Sequence, residues 1–86
     1  MLISICIPTY NRPEHLKNCL SSLACQTNKN FEVCVSDNNS TTNISRIINQ
    51  FNTRIKIRFR KNKKNLGFAI NLLNVSKMAK GKFIWF

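Results

Sequence analysis

The chain has 86 residues, 43% of them hydrophobic and 20% charged, with a net charge of +11. That length holds one small domain, and the composition is that of a globular protein, so disorder of the whole chain is not expected. Glu14, Glu32 and Asp37 are the only acids, so an anionic substrate, nucleic acid or membrane surface is a chemically matched partner, although a plain Lys- and Asn-rich composition gives the same balance.

The first element is the β-branched run Ile3 to Ile7, which Pro8 stops; it reads as a buried strand. It has no basic leader and no apolar stretch near a membrane span, so neither a signal peptide nor a spanning helix is expected. The expected location is cytoplasmic, with peripheral contact at the inner face of the membrane left open. Asn11 follows as a candidate N-cap, with Pro13 and Glu14 in the first turn. Leu16, Cys19, Leu20, Leu23 and Ala24 then recur at helical spacing. His15, in the first turn, reads as a surface residue.

Asn28 to Asn30 make a turn into the second strand, Phe31 to Val35, whose tip is Ser36-Asp37-Asn38-Asn39-Ser40. Ile44, Ile47, Ile48 and Phe51 form the stripe of a second helix. From Arg54 to Arg60 the pattern alternates, with Ile55, Ile57 and Phe59 on one side and Arg54, Lys56, Arg58 and Arg60 on a wet side. So many cations suit an edge strand. After the polar loop Lys61 to Gly67, a third helix puts Phe68, Leu72, Val75 and Ala79 inward and takes Gly81 as its C-cap. Phe83-Ile84-Trp85-Phe86 opens a fourth strand with apolar side chains on both sides, which calls for burial on both faces. Ending on so unfinished a strand, the chain is expected to be a fragment or a truncated reading frame.

The four cysteines, Cys6, Cys19, Cys25 and Cys34, include no C-x-x-C pair. A zinc ribbon or redox motif is therefore not expected, and a reducing compartment suits them. Cys6, Cys19 and Cys34 read as small buried hydrophobes and Cys25 as an exposed helix end.

The order βαβαβαβ predicts an α/β fold with an open, mostly parallel sheet covered by helices on both faces. If strands one, two and three run outward and strand four returns beside strand one, ligands bind at the carboxyl ends of the strands, where the order reverses. Pro8-Thr9-Tyr10-Asn11-Arg12, Asp37-Asn38-Asn39-Ser40 and Asn65-Leu66-Gly67 fall at that rim. Thr9 and the helix N-terminus behind it can donate to phosphate or ribose. Tyr10 offers a face for a base, and Asp37 can accept from a base N–H or a ribose hydroxyl. Lys64 and Asn65 suit a pyrophosphate. The same segments could instead be an ordinary strand-to-helix turn, an Asx-turn and a plain loop.

Taken in order, Ile3-Ser4-Ile5-Cys6-Ile7-Pro8-Thr9-Tyr10-Asn11-Arg12, Ser21-Ser22-Leu23-Ala24-Cys25-Gln26-Thr27, Phe31 to Thr41, Asn65-Leu66-Gly67-Phe68-Ala69-Ile70-Asn71 and Ala79 to Phe86 resemble the successive motifs of family 2 glycosyltransferases. The resemblance covers nearly the whole chain. It implies a GT-A, Rossmann-like half truncated at the fourth strand, with residues 1–86 as the N-terminal nucleotide-sugar-binding portion and the acceptor- and metal-binding half absent. By carry-over, Thr9 and Tyr10 border the nucleotide, Asp37 contacts base or ribose, and Asn65 lies near ribose and phosphates. The donor would be UDP-, dTDP- or GDP-linked, with Mg²⁺ or Mn²⁺ held by ligands outside this chain, no nucleic acid as partner, and an acceptor that the sequence does not name. No catalytic residue of the family falls in the chain, so 1–86 alone is expected not to transfer sugar. Two departures bear on base selectivity: Asn38 and Thr42 stand where many relatives carry acids. The competing expectation is a basic α/β module that binds nucleic acid through Arg54, Lys56, Arg58, Arg60, Lys61, Lys63 and Lys64; a receiver-like domain would need acids where Pro8-Thr9-Tyr10 stands.

Overall fold

The computed structural model describes residues 3–86; the reading of the leader at Met1 and Leu2 lies outside them. The elements are β1 (Ile3–Thr9), α1 (Pro13–Ala24), β2 (Phe31–Asp37), α2 (Ile44–Phe51), β3 (Ile57–Lys61), α3 (Phe68–Lys77) and β4 (Phe83–Trp85). They form one parallel sheet of order β3-β2-β1-β4. This is the expected topology: the strand order reverses between β1 and β4, and β3 lies at an edge. No described helix is long and apolar enough to cross a membrane.

β2 lies at the centre and is buried from Glu32 onward. Its alternation divides the chemistry of the two faces. Val33 and Val35 face α1 and α2, where Leu16, Leu20, Ile44, Ile47, Ile48, Phe51 and Ile55 complete the larger core. Cys34 faces α3 beside Cys6 and Val75, with Leu72, Met78 and Ala79 packed around them. Near the start of the strands this second face carries a buried polar cluster. The Ser4 hydroxyl and the Lys80 N–H donate to Glu32 Oε2 at 2.6 and 2.7 Å. Arg58 Nε stands 3.2 Å from Glu32 Oε1 as an ion pair. Burial pushes the Glu32 carboxyl up, but the Ser4, Lys80 and Arg58 interactions outweigh it and hold the group below its usual range.

Several local expectations are corrected. β1 continues through Pro8 to Thr9. Thr9 O accepts from Asn38 N on the β2 side, so Pro8 faces the other side, past Ile5↔Trp85, the last pair with β4. Its missing N–H therefore removes no ladder bond. Asn11 is not the N-cap of α1: Arg12 holds that position without a side-chain bond. Asn11 instead adopts φ 49°, and its side-chain oxygen accepts from Thr41 N and Oγ1. β3 starts only at Ile57, and Arg58 is no free cation, since Glu32 and the Met78 carbonyl hold it. α3 is capped at Met78. Gly81 serves close approach rather than capping: a Cβ there would lie 2.8 Å from Ser4 N and Oγ. Phe68 is 71% exposed rather than inward. The residues of β4, apolar on both sides, are exposed in this chain. Cys6 and Cys34 are buried and Cys25 exposed, as expected, while Cys19 is only half-buried.

Candidate functional site

At the carboxyl ends of the strands lies a cavity of about 580 Å³ lined by Pro8, Thr9, Tyr10, Arg12, His15, Asn38, Asn65, Gly67, Phe68 and Asn71. β1 delivers Thr9 and Tyr10 to its floor, and α1 opens beside them with Arg12 and His15. Opposite, Gly67 at φ 86° turns the chain into α3, so the first turns of α1 and α3 both face the cavity. Backbone N–H groups at such helix starts attract anions, and the Arg12 guanidinium adds a fixed positive charge with a planar donor fork. Among the described residues, none that lines the wall carries a carboxylate.

A network of amides shapes the far wall. The Asn38 side chain accepts from Leu66 N at 2.9 Å and Asn62 Nδ2 at 3.1 Å. It donates to Asn65 Oδ1 at 2.8 Å and to Gly67 O at 3.2 Å. Asn71 Oδ1 accepts from the Ser36 hydroxyl at 2.7 Å and from Asn62 Nδ2 at 3.0 Å, while its Nδ2 donates to Ser36 O at 3.0 Å. These bonds pin the loop carrying Asn65 to the tip of β2. Hydrogen-bonded side-chain networks of this kind rigidify a site.

Thr9, Tyr10 and Asn65 thus meet at one cavity, as the sequence reading placed them. Asp37 does not join them. It is fully buried and off the wall, because alternation along β2 turns it to the α1/α2 face. Its Oδ1 accepts from Ser40 Oγ at 2.5 Å and Ser40 N at 3.1 Å. Ser40 Oγ in turn accepts from Asn11 N at 2.8 Å. The carboxylate thereby ties the β2 tip to the β1–α1 loop, and Oδ2 has no hydrogen-bond partner. Its neighbour Asn38 occupies the wall instead. The signal was available: Glu32, Cys34, Ser36 and Asn38 share one period-two face. His15, Phe68 and Asn71 were also missed as wall residues, and Lys64 is absent from the wall. Among the described residues no three His, Cys, Asp or Glu side chains cluster to hold a metal. A hard divalent cation needs several oxygen ligands, so this wall does not fit one.

An open parallel α/β sheet with a cavity at its switch point is the arrangement in which folds of this class place their ligands. Residues 4–86 match the model of glycosyl transferase family 2, and the chain belongs to that family. It is 42% identical to abequosyltransferase RfbV of Salmonella typhimurium, over 99% of this chain and 27% of that protein. The solved structure of S. aureus TarS 1–349 in complex with UDP superposes with a TM-score of 0.90 at 30% identity, over 98% of this chain and 26% of that one. A mannosyltransferase of Pyrobaculum calidifontis, in complex with GDP-Man and Mn²⁺, shares the fold at a TM-score of 0.76 and 18% identity, over 95% of this chain and 25% of that one. The chain therefore spans about a quarter of the length of these relatives.

Proposed function

We propose that residues 1–86 are the nucleotide-sugar-binding portion of a glycosyltransferase whose whole-length form transfers a sugar from a nucleotide-linked donor to an acceptor hydroxyl. The observation that carries this reading is the meeting of Thr9, Tyr10, Arg12 and Asn65 in one cavity at the β1 rim. Tyr10, 44% exposed, stacks against the base. Thr9 and Asn65 donate to ribose and phosphate oxygens. Arg12 and the first turns of α1 and α3 face the diphosphate. Asp37 acts through the loop it holds and not by touching ligand. That TarS, which shares this fold at a TM-score of 0.90, was solved in complex with UDP supports a nucleotide ligand. A divalent ion, Mg²⁺ or Mn²⁺, would neutralise the departing diphosphate and would need ligands outside this chain. We also place the protein in the cytoplasm, where nucleotide-linked donors are chemically at hand.

Calorimetric titration with CDP, UDP, dTDP and GDP tests the reading. Base stacking is worth about 1–3 kcal/mol, so Tyr10→Ala should weaken whichever nucleotide binds by roughly five- to 150-fold. Affinity should fall only modestly with salt, since one diphosphate meets few cations. Absence of binding by all four, or a steep salt slope with no effect at Tyr10, would overturn it.

A further inference from the structure

At the amino end of the sheet, opposite the cavity, a basic hollow and an apolar groove lie side by side. The hollow, of about 400 Å³, has Lys29, Arg54, Lys56 and Phe31 in its lining. The groove, of about 370 Å³, shares Phe31 and adds Ile3, Ile5, Leu23 and Trp85. Lys77 at the end of α3, and Lys80 and Lys82 on the segment entering β4, bring further positive charge to the same end. All six of these cations are exposed. Among the described residues no free side-chain carboxylate opposes them. Glu14 lies in the first turn of α1 at the other end, Glu32 is buried against Arg58, and Asp37 is buried at the tip of β2. The carbonyl ends of the three helices point this way, and Lys29 Nζ donates to the Gln26 carbonyl just past α1. At about half a charge per helix, these ends offset fewer than two of the six cations.

Charge alone does not choose a partner, since Arg60, Lys61, Lys63 and Lys64 also make the cavity end basic. What sets the amino end apart is the apolar surface beside its cations. Phe83 and Trp85 are 63% and 64% exposed, and they stand in register with Ile3 and Ile5. Aromatic and aliphatic side chains flanked by Lys and Arg suit the headgroup region of an anionic bilayer. We propose that the amino end of the sheet docks this chain on an anionic lipid bilayer, with Lys29, Arg54 and Lys56 against headgroup phosphates and Trp85 at the boundary with the acyl chains. β1 has seven residues, so this orientation holds the cavity about 20 Å above the lipid, open to ligand from water.

The test adds the 86-residue chain to vesicles of phosphatidylcholine, alone or with about a third phosphatidylglycerol. Trp85 is the only tryptophan, so its emission reports on the groove. Anionic vesicles should shift that emission to the blue and shield it from acrylamide, and phosphatidylcholine alone should do neither. Each cation near an anionic surface strengthens binding about fivefold. Arg54→Gln combined with Lys56→Gln should therefore weaken vesicle binding by roughly thirtyfold. Lys63→Gln combined with Lys64→Gln, at the cavity end, should change it by less than about twofold, because those charges stand beyond the screening length of about 8 Å. Equal binding to neutral vesicles, no shift at Trp85, or equal losses from the two pairs would overturn the proposal. Binding of single-stranded RNA through Arg54 and Lys56, with no Trp85 shift on vesicles, would also overturn it and give the face to nucleic acid. If the Arg54 and Lys56 variant fails to fold by circular dichroism, the Trp85 shift and the Lys63 and Lys64 pair decide.

Discussion

Replacing Glu32 with alanine should remove much of the stability of this chain. The carboxylate is fully buried and accepts from the Ser4 hydroxyl and Lys80 N–H at 2.6 and 2.7 Å. Its removal leaves the Lys80 N–H without that acceptor and Arg58 without its counter-charge. Breaking a buried ion pair from one side costs about 3–5 kcal/mol. The Arg58 side chain is 30% exposed and can turn to water, so the lower end, about 3 kcal/mol, applies. At about 0.05–0.15 kcal/mol per residue a chain of this size holds roughly 4–13 kcal/mol, so the loss is a large share. Glu32→Gln keeps an acceptor and loses only the charge, and should cost about 1–2 kcal/mol. The folded-state pKa is depressed below the usual 4.5. The stabilisation from Glu32 is therefore fully present above 4.5 and is lost as pH falls through the lower folded value. Urea unfolding followed by circular dichroism at pH 7 and across the acid range measures both effects. A loss under 1 kcal/mol for Glu32→Ala, or an unchanged acid limb in that variant, would refute the reasoning.

Gly81→Ala should destabilise by about 1–3 kcal/mol, since its Cβ would meet the Ser4 main chain at 2.8 Å; thermal melts check it. In the native state at pH 8, Cys25 should react with a disulfide reagent quickly, while Cys6 and Cys34 react only on unfolding. Both are buried, and burial pushes the Cys34 thiol up to about 12. Purified 1–86 should show no sugar transfer to any acceptor; measurable turnover by radiolabelled-donor assay would contradict the division of labour proposed for it.

Most of the topology was legible because period-two and helical stripes are strong signals in short buried elements. Ile44, Ile47, Ile48 and Phe51 all proved buried, and the reversal of strand order followed from the βαβαβαβ pattern. What failed depended on tertiary geometry. Asn11 has the chemistry of a cap but spends its side chain on Thr41 across the loop. Gly81 sits where a helix would end, yet its role is set by β1 passing close by. Phe68 fits the inward stripe by spacing, but α3 turns it to the cavity mouth. For the site, Thr9, Tyr10 and Asn65 were legible as rim residues. Asp37 is the more conspicuous chemistry in the sequence, but alternation along β2 turns it inward and puts Asn38 on the wall.

The account depends on nucleotide occupying the rim of β1, and amide chemical-shift mapping tests that most directly. On adding the tightest-binding nucleoside diphosphate to ¹⁵N-labelled chain, the resonances of Thr9, Tyr10, Arg12, Asn65 and Gly67 should shift together and saturate at one stoichiometric equivalent. Shifts confined to the basic hollow at the opposite end of the sheet, around Lys29, Thr53, Arg54 and Lys56, would contradict it.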